Sequence, residues 1–422
     1  MKRQRTDMER MTQEAPSLLE AALARENVAR AWRRVKANKG SAGVDGLSIS
    51  ATSAYLASHW PQIKGQLLDG TYRPQPVRRV QIPKPDGSKR DLGIATVTDR
   101  LIQQALLQVL QPLIDPTFSD HSYGFRPRRS AHDAVRRAQG YVREGYTVVV
   151  DVDLEKFFDR VNHDVLMDRL GRRIADRRVL RLIRHYLRAG VLVNGVVQER
   201  HDGTPQGGPL SPLLANVLLD EVDKVLARRG HRFVRYADDC NVYVRSQRAG
   251  ERVMDGLRTV YAALKLRVNE AKSAVAPVNR RQFLGFSFHH AAKLRVSGKA
   301  MQAFKARIRQ ITRRNRGRSM AQVVEDLQVY MRGWKGYFQL SETPRVFAGL
   351  DRWLRHCLRA LQLKHWRHGR TIYTALRRLG ASHADTAQVA RHAGSWWATS
   401  VGRLNRLLPN AHFDRLGVPR LA

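Results

Sequence analysis

Apolar side chains recur at helical spacing through residues 17–38 (Leu18, Leu19, Ala22, Val28, Ala31, Trp32, Val35), until Asn38-Lys39-Gly40-Ser41-Ala42-Gly43 breaks the pattern. The pattern then changes to one of period two. Val77 to Pro83 and Leu92 to Ile94, separated by Pro85-Asp86-Gly87, predict a hairpin with Lys84, Lys89 and Arg90 close to its turn. A helix is expected over 99–113, where Leu101, Ile102, Ala105, Leu106, Val109, Leu110 and Leu113 share one face. Tyr146 to Asp153 reads as a strand that leads into Phe157-Phe158 and a helix opened by Asn162. Val191 to Val197 predicts a second hairpin, turning at Asn194-Gly195 in the type I′ manner. The breaker-rich stretch Thr204 to Pro212 predicts a rigid loop before a helix over 213–226.

Phe233 to Val244 predicts a third hairpin, rich in aromatic and β-branched residues, with Asp238 and Asp239 at its bend. This order of strands and helices predicts an antiparallel α+β module of the split βαβ kind. Farther on, Val346, Leu350, Trp353, Leu354, Cys357, Leu358 and Leu361 mark one face of a helix that carries Arg352, Arg355 and Arg359 on other faces.

Charge narrows the class of partner. The 422 residues leave room for two or three domains, and their formal net charge of +38 exceeds what solubility requires. A polyanion is therefore expected, with nucleic acid the default and an anionic membrane surface the alternative. The membrane is disfavoured because no apolar run approaches the roughly 20 residues that span a bilayer. Met1 to Glu20 is charged and lacks an apolar core, so export is not expected. Cys240 and Cys357 are too few for a disulfide framework or a structural zinc site. Residues 301–422 hold 23 Lys and Arg against 6 Asp and Glu, which predicts a helical, nucleic-acid-gripping region.

Against that background the adjacent carboxylates Asp238 and Asp239 stand out. Neighbouring carboxylates repel and raise one another's pKa unless a cation lies between them. Nucleotidyl transfer at a polymer end uses two divalent ions about 3.5 to 4 Å apart, and so needs two or three converging carboxylates. Asp153, at the close of the 148–152 run, is the expected third; Asp151 shares its face and competes.

These blocks, in order, resemble the reverse transcriptases encoded by bacterial group II introns, which also act as maturases. The resemblance runs through Asn38 to Gly46, Lys84 to Arg90 with Asp99-Arg100, Tyr123-Gly124-Phe125-Arg126-Pro127, Asp153 to Asp159, Thr204 to Leu213, Tyr236-Ala237-Asp238-Asp239, Asn269 to Ser273 and Phe283 to Phe286. Met331 to Phe338 is similar to the family's thumb segment, and the tail with Trp396-Trp397 and Leu407 to Asn410 to its short DNA-binding region.

The resemblance implies metal binding by Asp153, Asp238, Asp239 and the Leu154 backbone carbonyl, with two Mg2+ ions as cofactor. It implies that Phe158 excludes a 2′-hydroxyl and that Gln206 and Gly207 close over the incoming dNTP. Lys84, Lys89 and Arg90 would serve the triphosphate, and Lys272 the leaving pyrophosphate. Arg126, Arg128, Arg129, Arg332, Lys335, Arg352, Arg355 and Arg359 are expected to contact RNA or DNA. An endonuclease with cysteine pairs, which some relatives carry, is not expected.

The expected architecture is a right-hand polymerase: an N-terminal extension and the start of the fingers over 1–75, fingers and palm over 76–290, an α-helical thumb over 291–362 and a basic DNA-binding region over 363–422. The expected function is RNA-directed DNA synthesis in a bacterial cytoplasm, close to the nucleoid. Parent group II intron RNA, a primed RNA template, target DNA and dNTPs would be its partners, and no membrane. The alternatives are an intron-less relative at work in DNA repair or phage defence, and an RNA-binding maturase with little polymerase role.

Overall fold

The computed structural model describes residues 17–83, 87, 89–193, 196–198, 202–204, 207–289, 292–314, 317–392, 394–400 and 402–422. They form two compact units, one holding the described residues up to Tyr141 together with Gly145–Ala276, the other Val142–Glu144 with Pro277–Ala422.

In the first unit, strands β1 (Val77–Pro83) and β2 (Lys89–Ile94) form the expected hairpin, paired from Arg78↔Ile94 to Pro83↔Lys89. Strands β3 (Val148–Val152), β4 (Val191–Val193) and β5 (Val196–Gln198) follow. The β4–β5 pair lies in the β1–β2 sheet, because Val77 and Arg78 of β1 run parallel to Val191 and Leu192 of β4. Its turn, Asn194-Gly195, lies outside the described residues.

A second four-stranded sheet carries the chemistry. Its strands are β3, β6 (Arg232–Tyr236), β7 (Asp239–Val244) and β8 (Ala274–Pro277), in the order β6-β7-β3-β8. Both neighbours of β7 are antiparallel to it. Val150, Val152, Phe233, Cys240 and Val242 share one buried cluster with Leu214, Val217 and Leu218 of helix Ser211–Arg228 and with Leu257 and Tyr261 of helix Gln247–Ala263. Burying a Leu or Phe contributes about 1.5–3 kcal/mol, so this contact fixes where the strand tips lie. Gly250 permits it, since a Cβ there would stand 2.3 Å from Val275 Cγ1. This is the α+β palm that the sequence predicts.

The second unit contains the hairpin β9 (Phe286–Phe288) and β10 (Leu294–Val296), followed by helices Gly298–Ile311, Met320–Phe338 and Pro344–Trp366 and by shorter helices to Arg415. Phe304, Trp334, Phe338 and Phe347 pack ring against ring with Trp334 at the centre, 4.6 Å from Phe304 and 4.7 Å from Phe338. Ser319 and Gln322 close a capping box at the start of Met320–Phe338. No helix among the described residues is long and apolar enough to cross a membrane.

Candidate active site

The β6–β7 hairpin turns through Ala237 and Asp238, with Tyr236 paired to Asp239. Ala237 is buried at φ +57, a left-handed conformation that costs an L-residue about 1–2 kcal/mol. Two contacts hold it there. Arg235 donates from Nη1 to the Ala237 carbonyl at 2.8 Å. Gly124 presses its backbone against the turn so closely that a Cβ would stand 2.1 Å from Ala237 N.

Arg235 is itself wholly buried and bonded throughout. Its guanidinium donates to both oxygens of Asp223, to Asn216 Oδ1 at 2.8 Å and to Ser122 Oγ at 2.8 Å. Asn216 in turn donates to the Gly124 carbonyl at 2.9 Å. One arginine thus ties helix Ser211–Arg228, the 122–124 segment and the acidic turn together.

The register Val152↔Cys240 carries the next residue of the chain, Asp153, to the side of Asp239. The Asp153 backbone is fixed by Ser273, whose hydroxyl accepts from Asp153 N at 3.0 Å and donates to its carbonyl at 3.2 Å, and by Asn269 N at 2.8 Å from the same carbonyl. Leu154 forms an isolated bridge with Val268. The two hydrogen bonds of that bridge use the neighbours, Glu155 N to Arg267 O and Asn269 N to Asp153 O. The Leu154 carbonyl accepts no hydrogen bond from the described backbone. Lys272 places Nζ 3.3 Å from Asp153 Oδ2.

Burial pushes Asp239 up to about 7, reinforced by the charges of Asp238, Asp151 and Asp153 and opposed by Lys272. Asp238 is also raised, again mainly by burial and then by Asp153, while Arg90 and Arg235 pull it down. Arg90, exposed on β2, is therefore close enough for its charge to reach the acidic turn. Asp151 faces Asn241 across the ladder, and the Asn241 amide nitrogen, turned toward it, reaches Oδ1 at 2.9 Å. That contact makes Asp151 a partner of the strand pair.

Among the described residues, no three carboxylate or imidazole groups already enclose a metal position. The donors nevertheless fit a hard divalent cation: they are carboxylate and carbonyl oxygens, and two of the carboxyls are held above their usual range by burial and mutual repulsion.

Phe158 and Phe157 are both buried and meet edge to face, 5.1 Å between centroids. The Phe158 carbonyl accepts from Thr204 N at 2.7 Å, and a Cβ on Gly203 would meet the carbonyl oxygens of Asp159 and Phe158 at 2.9 and 3.0 Å. His163, buried at a helix start, bonds the Gly203 carbonyl through Nε2 at 2.7 Å. Gly207, at φ +120, lies against the β2 backbone, 3.0 Å from Gly93 O to a would-be Cβ. The structure thus brings the glycine-rich segment between Phe158 and the finger strands. Lys84 and Gln206 lie outside the described residues. Lys89 is exposed on β2.

Three of the residues expected to contact nucleic acid are buried against other parts of the fold. Arg126 is buried, with its guanidinium on the Asp115 carboxylate at 2.9 and 3.1 Å and on the carbonyls of Asp115, Ser119 and Ser122. Arg355 is buried against Asp351, Asp414 and the Pro419 carbonyl, and Arg359 against the Leu408 carbonyl and Asn410. Burial and these hydrogen bonds turn the three guanidinium groups toward the protein itself. Arg128, Arg332, Lys335 and Arg352 are exposed, and Arg129 is half-buried on Asp120.

Sequence reasoning missed Arg235, Asp223, Asn216, Gly124 and Ser273. The available signal was a lone arginine inside the apolar run Phe233-Val234-Arg235-Tyr236, together with Asp220 and Asp223 among the apolar positions of the helix that follows the glycine-rich loop.

Fold and site define a polymerase of the reverse transcriptase class. Residues 82–288 match the model for reverse transcriptase (RNA-dependent DNA polymerase), and residues 301–380 that for the group II intron, maturase-specific domain. The chain belongs to the group II intron reverse transcriptase/maturase family and carries both of these domains. It is similar to protein YkfC of Escherichia coli strain K12, at 34% identity over 297 residues that cover 60% of this chain and 77% of that protein. It is also similar to the group II intron-encoded protein LtrA of Lactococcus lactis subsp. cremoris, at 39% identity over 208 residues. That match covers 49% of this chain and 34% of LtrA, so the chain spans about a third of that relative. Among solved structures, a chain of a partial Cas6-RT-Cas1–Cas2 complex is 26% identical, with 60% of this chain and 43% of its own covered and a TM-score of 0.39.

Proposed function

We propose that the protein is a two-metal, magnesium-dependent reverse transcriptase that copies RNA into DNA and binds its parent group II intron RNA, assisting splicing and copying the intron after insertion into target DNA. The observation that carries this reading is the placement of Asp153, Asp238 and Asp239 at neighbouring strand ends of one sheet, close enough that their charges act on one another and, with burial, raise the pKa of Asp238 and Asp239. Asp153, Asp238, Asp239 and the Leu154 carbonyl would hold the cations, which supply charge neutralisation for the 3′-hydroxyl and the triphosphate. Lys89 and Arg90, with Lys84, bind the triphosphate from the finger hairpin. Gln206 and Gly207 lie over the nucleotide, Phe158 excludes the 2′-hydroxyl, and Lys272 holds a proton within reach of leaving pyrophosphate.

Residues 76–290 act as fingers and palm, 291–362 as thumb, and 363–422 on target DNA, in a bacterial cytoplasm near the nucleoid. The test is cDNA synthesis on a DNA-primed RNA with Mg2+. Asp238→Ala and Asp239→Ala each lower the rate by more than about 100-fold while RNA affinity persists. Undiminished synthesis by either variant would sink the assignment.

A further inference from the structure

Phe125 stands 46% exposed, one residue beyond the glycine that abuts the acidic turn. Its φ is +60, a region that a bulky side chain adopts only under constraint and that glycine would occupy freely. Both flanks supply the constraint. Before it, Gly124 is pinned to the Tyr236–Ala237 backbone and receives the Asn216 hydrogen bond on its carbonyl. After it, Arg126 is buried and clamped to Asp115 and to the carbonyls of Ser119 and Ser122. An apolar ring is thereby kept in water in a strained conformation, about 3.8 Å of chain from the residue that supports the metal-ligand turn. Strain of this sort persists where the surroundings over-determine it, and it clusters at functional sites.

The ring presents an apolar face to solvent one residue from the support of the acidic turn, and the partner that suits it is flat and apolar. In a chain of net charge +38 with an acidic cluster at this edge, the partner with that chemistry is a nucleobase. We propose that Phe125 is a stacking platform for a base of the nucleic acid held at the catalytic hairpin. Stacking on the ring face tolerates every base, as a copying enzyme requires. The proposal rests on the polymerase reading above for the identity of the ligand.

The test uses the full chain and an RNA template with a DNA primer, carrying 2-aminopurine either at the first unpaired template position or at the primer terminus. Wild type and Phe125→Trp quench the probe in one of the two placements, and that placement tells which strand stacks. Phe125→Gly and Phe125→Ala lose that quench, and affinity falls about 5- to 150-fold, the range expected for one lost base–ring stack. Phe125→Gly also unfolds at the same or a higher temperature than wild type, because glycine removes the strain. Wild-type quench and affinity in Phe125→Gly would overturn the proposal. So would a lower melting temperature in Phe125→Gly, because the ring would then be a packing residue. Stacking without dNTP incorporation by wild type leaves this proposal standing and removes the polymerase reading instead.

Discussion

Arg235 and Asp223 form a bidentate ion pair with both side chains wholly removed from water: Nη2 stands 2.6 Å from Oδ2 and Nε 2.8 Å from Oδ1. The same guanidinium reaches the Ala237 carbonyl, so a charge pair in the core sets the geometry of the acidic turn. Removing one partner leaves the other charged and unpaired, at a cost of about 3–5 kcal/mol. Asp223→Ala is expected to lose that much stability in urea denaturation. An apolar replacement of both, Arg235→Met with Asp223→Leu, should regain most of the stability yet still synthesise cDNA poorly, with kcat reduced and the KM for dNTP little changed. Full recovery of kcat in the double variant would show that the pair serves stability alone.

Gly124 makes the same point without charge. Its missing Cβ is what lets the 122–124 segment lie against Ala237, and the atoms it would meet are backbone, which has nowhere to swing. Gly124→Ala therefore displaces the turn. A shift of about 1 Å at a reacting centre costs on the order of 100-fold in rate. Single-turnover incorporation should fall by that order while the melting temperature changes little. A variant as fast as wild type would mean that the turn is free to adapt.

Asp239 gives the site a pH signature. Burial, then repulsion by Asp238, Asp151 and Asp153, lifts its folded pKa to about 7 from 3.8, so the folded protein holds a proton that the unfolded chain has released. Stability from this group is present below pH 3.8 and is lost as pH rises through the window to about 7. If Asp239 holds a divalent cation as proposed, the cation must displace that proton, so its apparent affinity falls as pH drops below about 7, by up to about tenfold per unit. Mg2+ titrations of the initial rate at several pH values read this directly, and the half-saturating Mg2+ concentration should climb below neutrality. In chelator the melting temperature should decline across the same window, and Mg2+ should restore it. A Mg2+ requirement identical at pH 6 and pH 8 contradicts this account.

The net charge yields a prediction independent of the aspartates. A surface that neutralises 6–10 phosphates loses about 10³–10⁵ in affinity between 50 and 200 mM salt. Filter binding of structured RNA across that range should show a steep linear fall of log affinity with log salt. A flat response would remove nucleic acid as the reason for a charge of +38.

How much of this the sequence revealed follows from the reach of each signal. The hairpin at 233–244, the strand that ends at Val152 just before Asp153 and the helix opened by Asn162 were legible because strand alternation and capping act within a few residues. The addition of β4 and β5 to the finger sheet was not, because a parallel bridge from Val77 to Val191 leaves no local trace. Burial of charged residues was not legible either. Arg126, Arg355 and Arg359 look like every other arginine in a basic chain, and their anchors at Asp115, Asp351 and Asn410 are recognisable only after folding.

The last of these contrasts can be measured on one helix. Asp351, Arg355 and Arg359 lie four residues apart along Pro344–Trp366 and hold the end of the chain: Asp351 accepts from Leu421 N at 3.0 Å and Ala422 N at 3.0 Å, Arg355 donates to Asp414, and Arg359 donates to the Leu408 carbonyl. Arg352, on the same helix, is exposed. Arg355→Ala should therefore cost about 3–5 kcal/mol and open the segment beyond residue 400 to limited proteolysis. Arg352→Ala should change stability by no more than about 0.5 kcal/mol and lower the salt slope of nucleic-acid binding by about one. If the two substitutions had interchangeable effects, with both weakening binding and neither loosening the tail, the buried stripe would not be what keeps the C-terminal region in place.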